Sequence, residues 1–273
     1  MEEYEKNIIP HIESIYSSFT PLERSIADFF IHNENKEENL SAKSVAAKLY
    51  VSEASLSRFA QKCGYKGYRE FLFYYGQSAI PANRTPASSQ VKTVLNDYQE
   101  LLNKSYSLLD EEQVERVAAL ISSKKRIYVY GKGSSGLVGM EMKLRFMRIG
   151  VNIEAITDGH IMRMNSVLVD EDCAVIGISV SGRTEEVLES LKTAKRCRAG
   201  VILMTSHNEK AFRTYCDEVL LFAVKEHLEE GKAISPQFPI LVMVDILYSR
   251  LLRLDERHRK TLHDFTLEAL EEN

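Results

Sequence analysis

Two stretches of this 273-residue chain hold the residue types that grip an anion: GKGSSG, Gly131 to Gly136, and ISVSGRTEE, Ile178 to Glu186. In each, small and hydroxylated residues follow an apolar β-type segment and run straight into a helical pattern. Glycine lets the backbone come close to a ligand, hydroxyls donate hydrogen bonds, and the unsatisfied N–H groups of a helix start favour negative charge. A phosphate group suits both loops. Either loop alone also fits an ordinary strand-to-helix turn, so the signal lies in the pair.

Two loops make one site only if the strands that carry them are neighbours. Candidate strands are Arg126 to Tyr130, Val151 to Ile156, Ala174 to Ser179, Val201 to Thr205 and Glu218 to Ala223, separated by helical segments except for a short fourth crossover, HNEKAFRTYCD. Helices are predicted ahead of them through QVKTVLNDYQELLNKSYSLL and from Glu111 to Ile121. Alternation of this kind predicts a doubly wound, five-stranded, all-parallel sheet of flavodoxin-like order 2-1-3-4-5. In that order the first and third strands sit side by side at the switch point, and their loops face one crevice.

The N-terminal part is patterned differently. Thr20 and Pro21 open a packing helix carrying Leu22, Ile26, Phe29 and Phe30. Helices are then predicted over Ala42 to Leu49 and Glu53 to Cys63, the second capped by Ser52 and ended by Gly64, with Val45, Ala46, Leu49, Val51, Leu56 and Phe59 buried together. Two such helices around the short turn YVS are what a helix-turn-helix requires, with Tyr50 at the turn position where glycine is usual. In that docking Glu53, Ala54, Ser55, Ser57 and Arg58 face the major groove, Arg58 presenting two donors to a guanine edge. Ser52 and Ser55, the helix N-terminus, Lys43, Lys62 and Lys66 face phosphates. Tyr65 and Tyr68 have the spacing of packing residues.

Charge supports the placement. Residues 1–40 hold nine acids and three bases, whereas 41–75 hold six bases and two acids, so one face of the small domain is positive although the whole chain is −4. Residues 77–90, with two prolines and no periodic face, read as a linker between a domain over 1–76 and one over 91–273. Four scattered cysteines without a CxxC pair suggest reduced thiols and no zinc cluster. Neither a signal peptide nor a membrane span is legible, and the chain reads as cytoplasmic.

GKGSSG together with ISVSGRTEE resembles the SIS (sugar isomerase) domain, and its coupling to VAAKLYVSEASLSRF resembles the RpiR family of bacterial regulators. The resemblance covers nearly the whole chain. It implies a sugar phosphate held by Ser135, Ser179, Ser181 and Thr184, with Gly133, Ser134, Gly182 and nearby backbone N–H groups assisting. Lys132 and Arg183 add charge or stay solvated. The family likeness favours a repressor of carbohydrate or amino-sugar genes that binds a palindromic double-stranded DNA operator.

An isomerase would need a base in the crevice. His160, Glu185, Glu186 and His207 are the candidates, and no spacing singles one out. His160 either contacts a sugar hydroxyl or caps the helix that starts there, while acids such as Glu185 and Glu186 are favoured in any first helical turn. No metal motif, cofactor motif or Cys/His nucleophile pair is present, so no catalytic residue is assigned. The expected function is binding without turnover; a phosphosugar isomerase with a helical association domain is the alternative. Reading a palindrome takes a homodimer or a dimer of dimers, and FPILVMVDILYSRLLRL is either its contact surface or a core helix.

Overall fold

The computed structural model describes residues 8–32, 39–77, 89–223 and 234–271. The chain divides into two compact units, Met1–Ser88 and Ser89–Asn273. Most of the expected linker, residues 78–88, lies outside the described residues.

The first unit is helical: α1 (Ile8–Ser14), α2 (Pro21–His32), α3 (Ala42–Leu49), α4 (Glu53–Lys62) and α5 (Tyr68–Gln77). A capping box starts α2, where the Glu23 N–H donates to Thr20 Oγ1 at 3.4 Å and the Thr20 N–H donates to Glu23 Oε2 at 2.8 Å. Ser41 and Ser52 cap α3 and α4 through the N–H groups of Ser44 and Ser55. The core is a stack of rings, with Phe30 packed against Phe29, Phe59, Tyr68, Phe71 and Tyr75. Tyr65 and Tyr68 are buried in it, as their spacing suggested. Helix α1, which the sequence analysis did not assign, adds the buried Ile8 and Ile12.

The turn between α3 and α4 closes with the Val51 N–H on Ala46 O at 3.0 Å while Tyr50 adopts φ 56°, ψ 39°. An L-residue there costs about 1–2 kcal/mol, and the Tyr50 side chain, 96% exposed, gains no packing in return. Tyr50→Gly should therefore raise stability by about 0.5–1 kcal/mol after the added freedom of the unfolded glycine is subtracted. A denaturant melt of the two proteins measures it.

The second unit begins with α6 (Ser89–Leu108) and α7 (Glu111–Ser123) and continues β1 (Arg126–Gly131), α8 (Ser134–Met147), β2 (Ile153–Ile156), α9 (Gly159–Ser166), β3 (Cys173–Ile178), α10 (Glu185–Arg196), β4 (Gly200–Thr205) and β5 (Glu218–Leu221). It ends with α11 (Phe238–Leu254) and α12 (Glu256–Glu271). All strand pairs are parallel in the order β2-β1-β3-β4-β5, as predicted. The short fourth crossover holds only a 3₁₀ turn, Lys210–Thr214.

Alternation along each strand separates two cores. Ile127, Val129, Ala174, Ile176, Ile178, Ile202 and Met204 face α7, α8 and α11, whereas Tyr130, Val175, Val201 and Leu203 face α9 and α10. Helix α11 belongs to the first of these cores through Ile240, Met243, Val244, Leu247 and Leu251, as the core-helix reading of this segment expects. Exposed apolar side chains instead run along α8 as Leu137, Met140, Leu144 and Met147. Among the described residues no helix is long and apolar enough to cross a membrane.

Candidate functional site

β1 and β3 pair directly, with Gly131 opposite Ile178, so Lys132 and Ser179 leave the sheet side by side at its carboxyl edge. This is the switch point of a doubly wound sheet, where ligands bind. In the first loop the chain folds back on itself so tightly that a Cβ on Gly131 would lie 2.8 Å from both the carbonyl carbon and oxygen of Ser135. Gly133 precedes the helix at φ 53°, a region natural to glycine. Ser134, partly exposed, and Ser135, buried, then open α8, where the N–H groups of Ser135 and Gly136 donate back to Lys132 O at 3.1 and 3.3 Å.

The second loop is tied from within. Ser179 is buried, and its Oγ lies 2.9 Å from Thr184 Oγ1 and accepts from the Thr184 N–H at 3.4 Å. The Ser181 hydroxyl accepts from the Arg183 N–H at 3.3 Å, and the Gly182 N–H donates to Ser179 O at 3.1 Å. Ser206 Oγ donates to Val180 O at 2.7 Å, and His207 Nδ1 lies 3.0 Å from that hydroxyl. His207 thus braces the turn. Beyond Ser206 a cleft of about 710 Å³ opens between α6 and the ends of β4 and β5, lined by Asn103, Lys104, Asn208 and Phe222 among others.

Lys132 Nζ reaches across to Glu186 Oε1 at 2.5 Å, joining the two loops. That ammonium holds the Glu186 carboxyl below the usual carboxylate range. The helix after β2 is capped by Asp158, whose Oδ1 accepts from the N–H groups of His160 and Ile161. Those bonds also lower the Asp158 carboxyl. Capping by the His160 side chain is thereby replaced, and His160 stands exposed in the first turn of α9. Arg183 is exposed as well. Among the described residues no group of three or more His, Cys, Asp or Glu could hold a metal ion.

In the first unit Lys43, Ser52, Glu53, Ala54, Arg58 and Lys66 are exposed and Ser57 is partly so. Arg58 leans along the helix, its Nη2 donating to Ser55 Oγ at 3.3 Å. One expectation fails. Ser55 is buried, and its hydroxyl lies 2.8 Å from that of Ser52, so it completes the cap instead of facing outward. Lys62 is exposed and donates to Ser18 O at 2.8 Å and Glu23 Oε2 at 2.7 Å over the Phe19 ring. The sequence analysis passed over Gln61, which is exposed one turn beyond Ser57 and Arg58 on the same helical face.

Comparison with known proteins matches residues 6–75 to the helix-turn-helix domain of the rpiR family and residues 120–249 to the SIS domain. The chain belongs to the RpiR family of transcriptional regulators. A Haemophilus influenzae chain described as an uncharacterized HTH-type transcriptional regulator is 28% identical over 264 residues, 92% of this chain and 91% of its own. Among solved structures, the Vibrio vulnificus NanR protein complexed with ManNAc-6P shares the fold at TM-score 0.62 and 23% identity, covering 97% of this chain and 98% of that one. The sugar isomerase domain of an RpiR transcription factor from Sphaerobacter thermophilus does so at TM-score 0.58 and 18% identity, covering 66% of this chain and 97% of that one. This RpiR-family protein is a regulator and not an enzyme, and the isomerase alternative is set aside.

Proposed function

We propose that this regulator represses genes of carbohydrate or amino-sugar metabolism and is controlled by a sugar phosphate held between the tips of β1 and β3. The supporting observation is the direct pairing of those strands, which brings the Ser134–Ser135 loop beside the Ser179–Thr184 loop, with Lys132 bonded across to Glu186. Ser135, Ser179, Ser181 and Thr184, with Gly133 and Gly182, are the phosphate ligands in this reading, and His160 is assigned to a sugar hydroxyl. The NanR protein's ManNAc-6P makes amino-sugar phosphates the first compounds to try.

The reading divides the work between a DNA-binding domain over 1–76 and an effector domain over 91–273, in a cytoplasmic homodimer or dimer of dimers on a palindromic operator. An effector that binds one subunit arrangement better shifts operator affinity, and the operator shifts effector affinity by the same factor.

Ser181→Ala should weaken sugar-phosphate binding about 10-fold or more, the scale of a lost hydrogen bond to a charged group, and leave effector-free operator binding intact. Titration calorimetry with a panel of amino-sugar and sugar phosphates checks this, and unchanged affinity sinks the loop assignment. For the DNA face, Arg58→Ala should cost about 1–3 kcal/mol of base discrimination. Mobility shifts on operator and on random duplex decide the point, since an equal loss on both would make Arg58 a phosphate contact.

A further inference from the structure

The Lys132–Glu186 pair spans two strand tips, from the residue after β1 to the first turn of α10. Its side chains are 43% and 31% exposed, so the pair stands at the mouth of the crevice and not in its floor. The strand-end loop after β2 closes on it too. A Cβ on Gly159 would come 3.1 Å from Glu186 Cγ.

Lys132 therefore faces the Glu186 carboxylate, while the Ser134 and Ser135 hydroxyls, at the start of α8, stand deeper in the crevice as donors for an anion. An incoming phosphate meets those donors and, at the entrance, the negative charge of Glu186. A part-exposed ion pair is worth about 1 kcal/mol or less, whereas a phosphate monoester carries about −1.5 to −2 charges and three strong acceptors. For Lys132 the phosphate is the better partner.

We propose that the Lys132–Glu186 pair is a latch that the effector opens. Lys132 exchanges the Glu186 carboxylate for the phosphate, and Glu186 is released from the β1 loop, so that the tie between the two loops exists in the free state and is lost in the bound one. The latch rests on the reading that these loops bind phosphate. It makes Glu186 a competitor whose removal improves anion binding, the reverse of what a hydrogen-bonding or catalytic role predicts.

The test is titration calorimetry of the full chain with inorganic phosphate, in wild type, Glu186→Gln, Lys132→Gln, Lys132→Arg, the double variant Lys132→Gln/Glu186→Gln, and Ser181→Ala. Glu186→Gln should tighten phosphate about threefold to fivefold and Lys132→Gln weaken it about fivefold, the scale of a part-exposed charge pair, with Lys132→Arg near wild type. On the Lys132→Gln background Glu186→Gln should have no effect, because the competition is for Lys132. Unaltered melts confirm that these substitutions leave the fold intact.

Phosphate binding that Ser181→Ala removes but Glu186→Gln leaves unchanged or weakens overturns the latch and keeps the phosphate site. An equal gain from Glu186→Gln with and without Lys132 also overturns it, making Glu186 a source of general repulsion. Absence of phosphate binding in wild type and Glu186→Gln alike removes the site and the latch together.

Discussion

Gly131→Ala should lower the stability of the second unit by about 1–3 kcal/mol and weaken phosphate binding by more than tenfold. The added methyl would meet two backbone atoms of Ser135 at 2.8 Å, and neither can rotate away as a side-chain end can. Relief requires moving the start of α8 off the end of β1, which carries Ser134 and Ser135 away from the Ser179–Thr184 loop. Melting temperature should fall by about 2–4 °C per kcal/mol for a unit of this size. Calorimetric melting with and without a sugar phosphate reads both effects. A variant with wild-type stability and affinity would show that the loop yields easily, and the preformed cradle would be abandoned.

Phe30→Ala is the second large effect, and it falls on the other unit. Phe30 is 1% exposed and touches five other rings, so truncation should cost about 3–5 kcal/mol. Small domains carry little more stability than that. The expected result is loss of operator binding through unfolding of the helical unit, with sugar-phosphate affinity preserved. Far-ultraviolet circular dichroism alongside titration calorimetry separates these. If effector affinity collapsed as well, the two units would not be independent folding entities.

Much of this architecture was legible because local pattern and global fold agree. The Ser52 cap and the strand order followed from residue types and period, whereas Tyr50, a departure from the usual glycine that suggested a different turn, takes the left-handed conformation all the same. What escaped was decided by partners distant in sequence. Lys62 looks like any basic residue of a recognition helix, and its bonds to Ser18 O and to Glu23 of α2 come from residues far off in sequence. Ser55 has the composition of a groove-facing residue, yet one turn of helix aims it back at Ser52. Helix α1 spans seven residues, too few for a periodic signal, and is held by burial of Ile8 and Ile12. In the crevice, Ser135 and Thr184 were readable as hydroxyl donors, while the Lys132–Glu186 bond depends on which strands pair.

The pairing of β1 with β3 places Arg126 next to Cys173, with β2 and two helices looped out between them. Such non-local closure is slow compared with the short-range contacts of a helical unit. During synthesis the helical unit is therefore finished while the central ladder of the second unit is still incomplete, and each new chain carries its N-terminal helices folded ahead of its sheet.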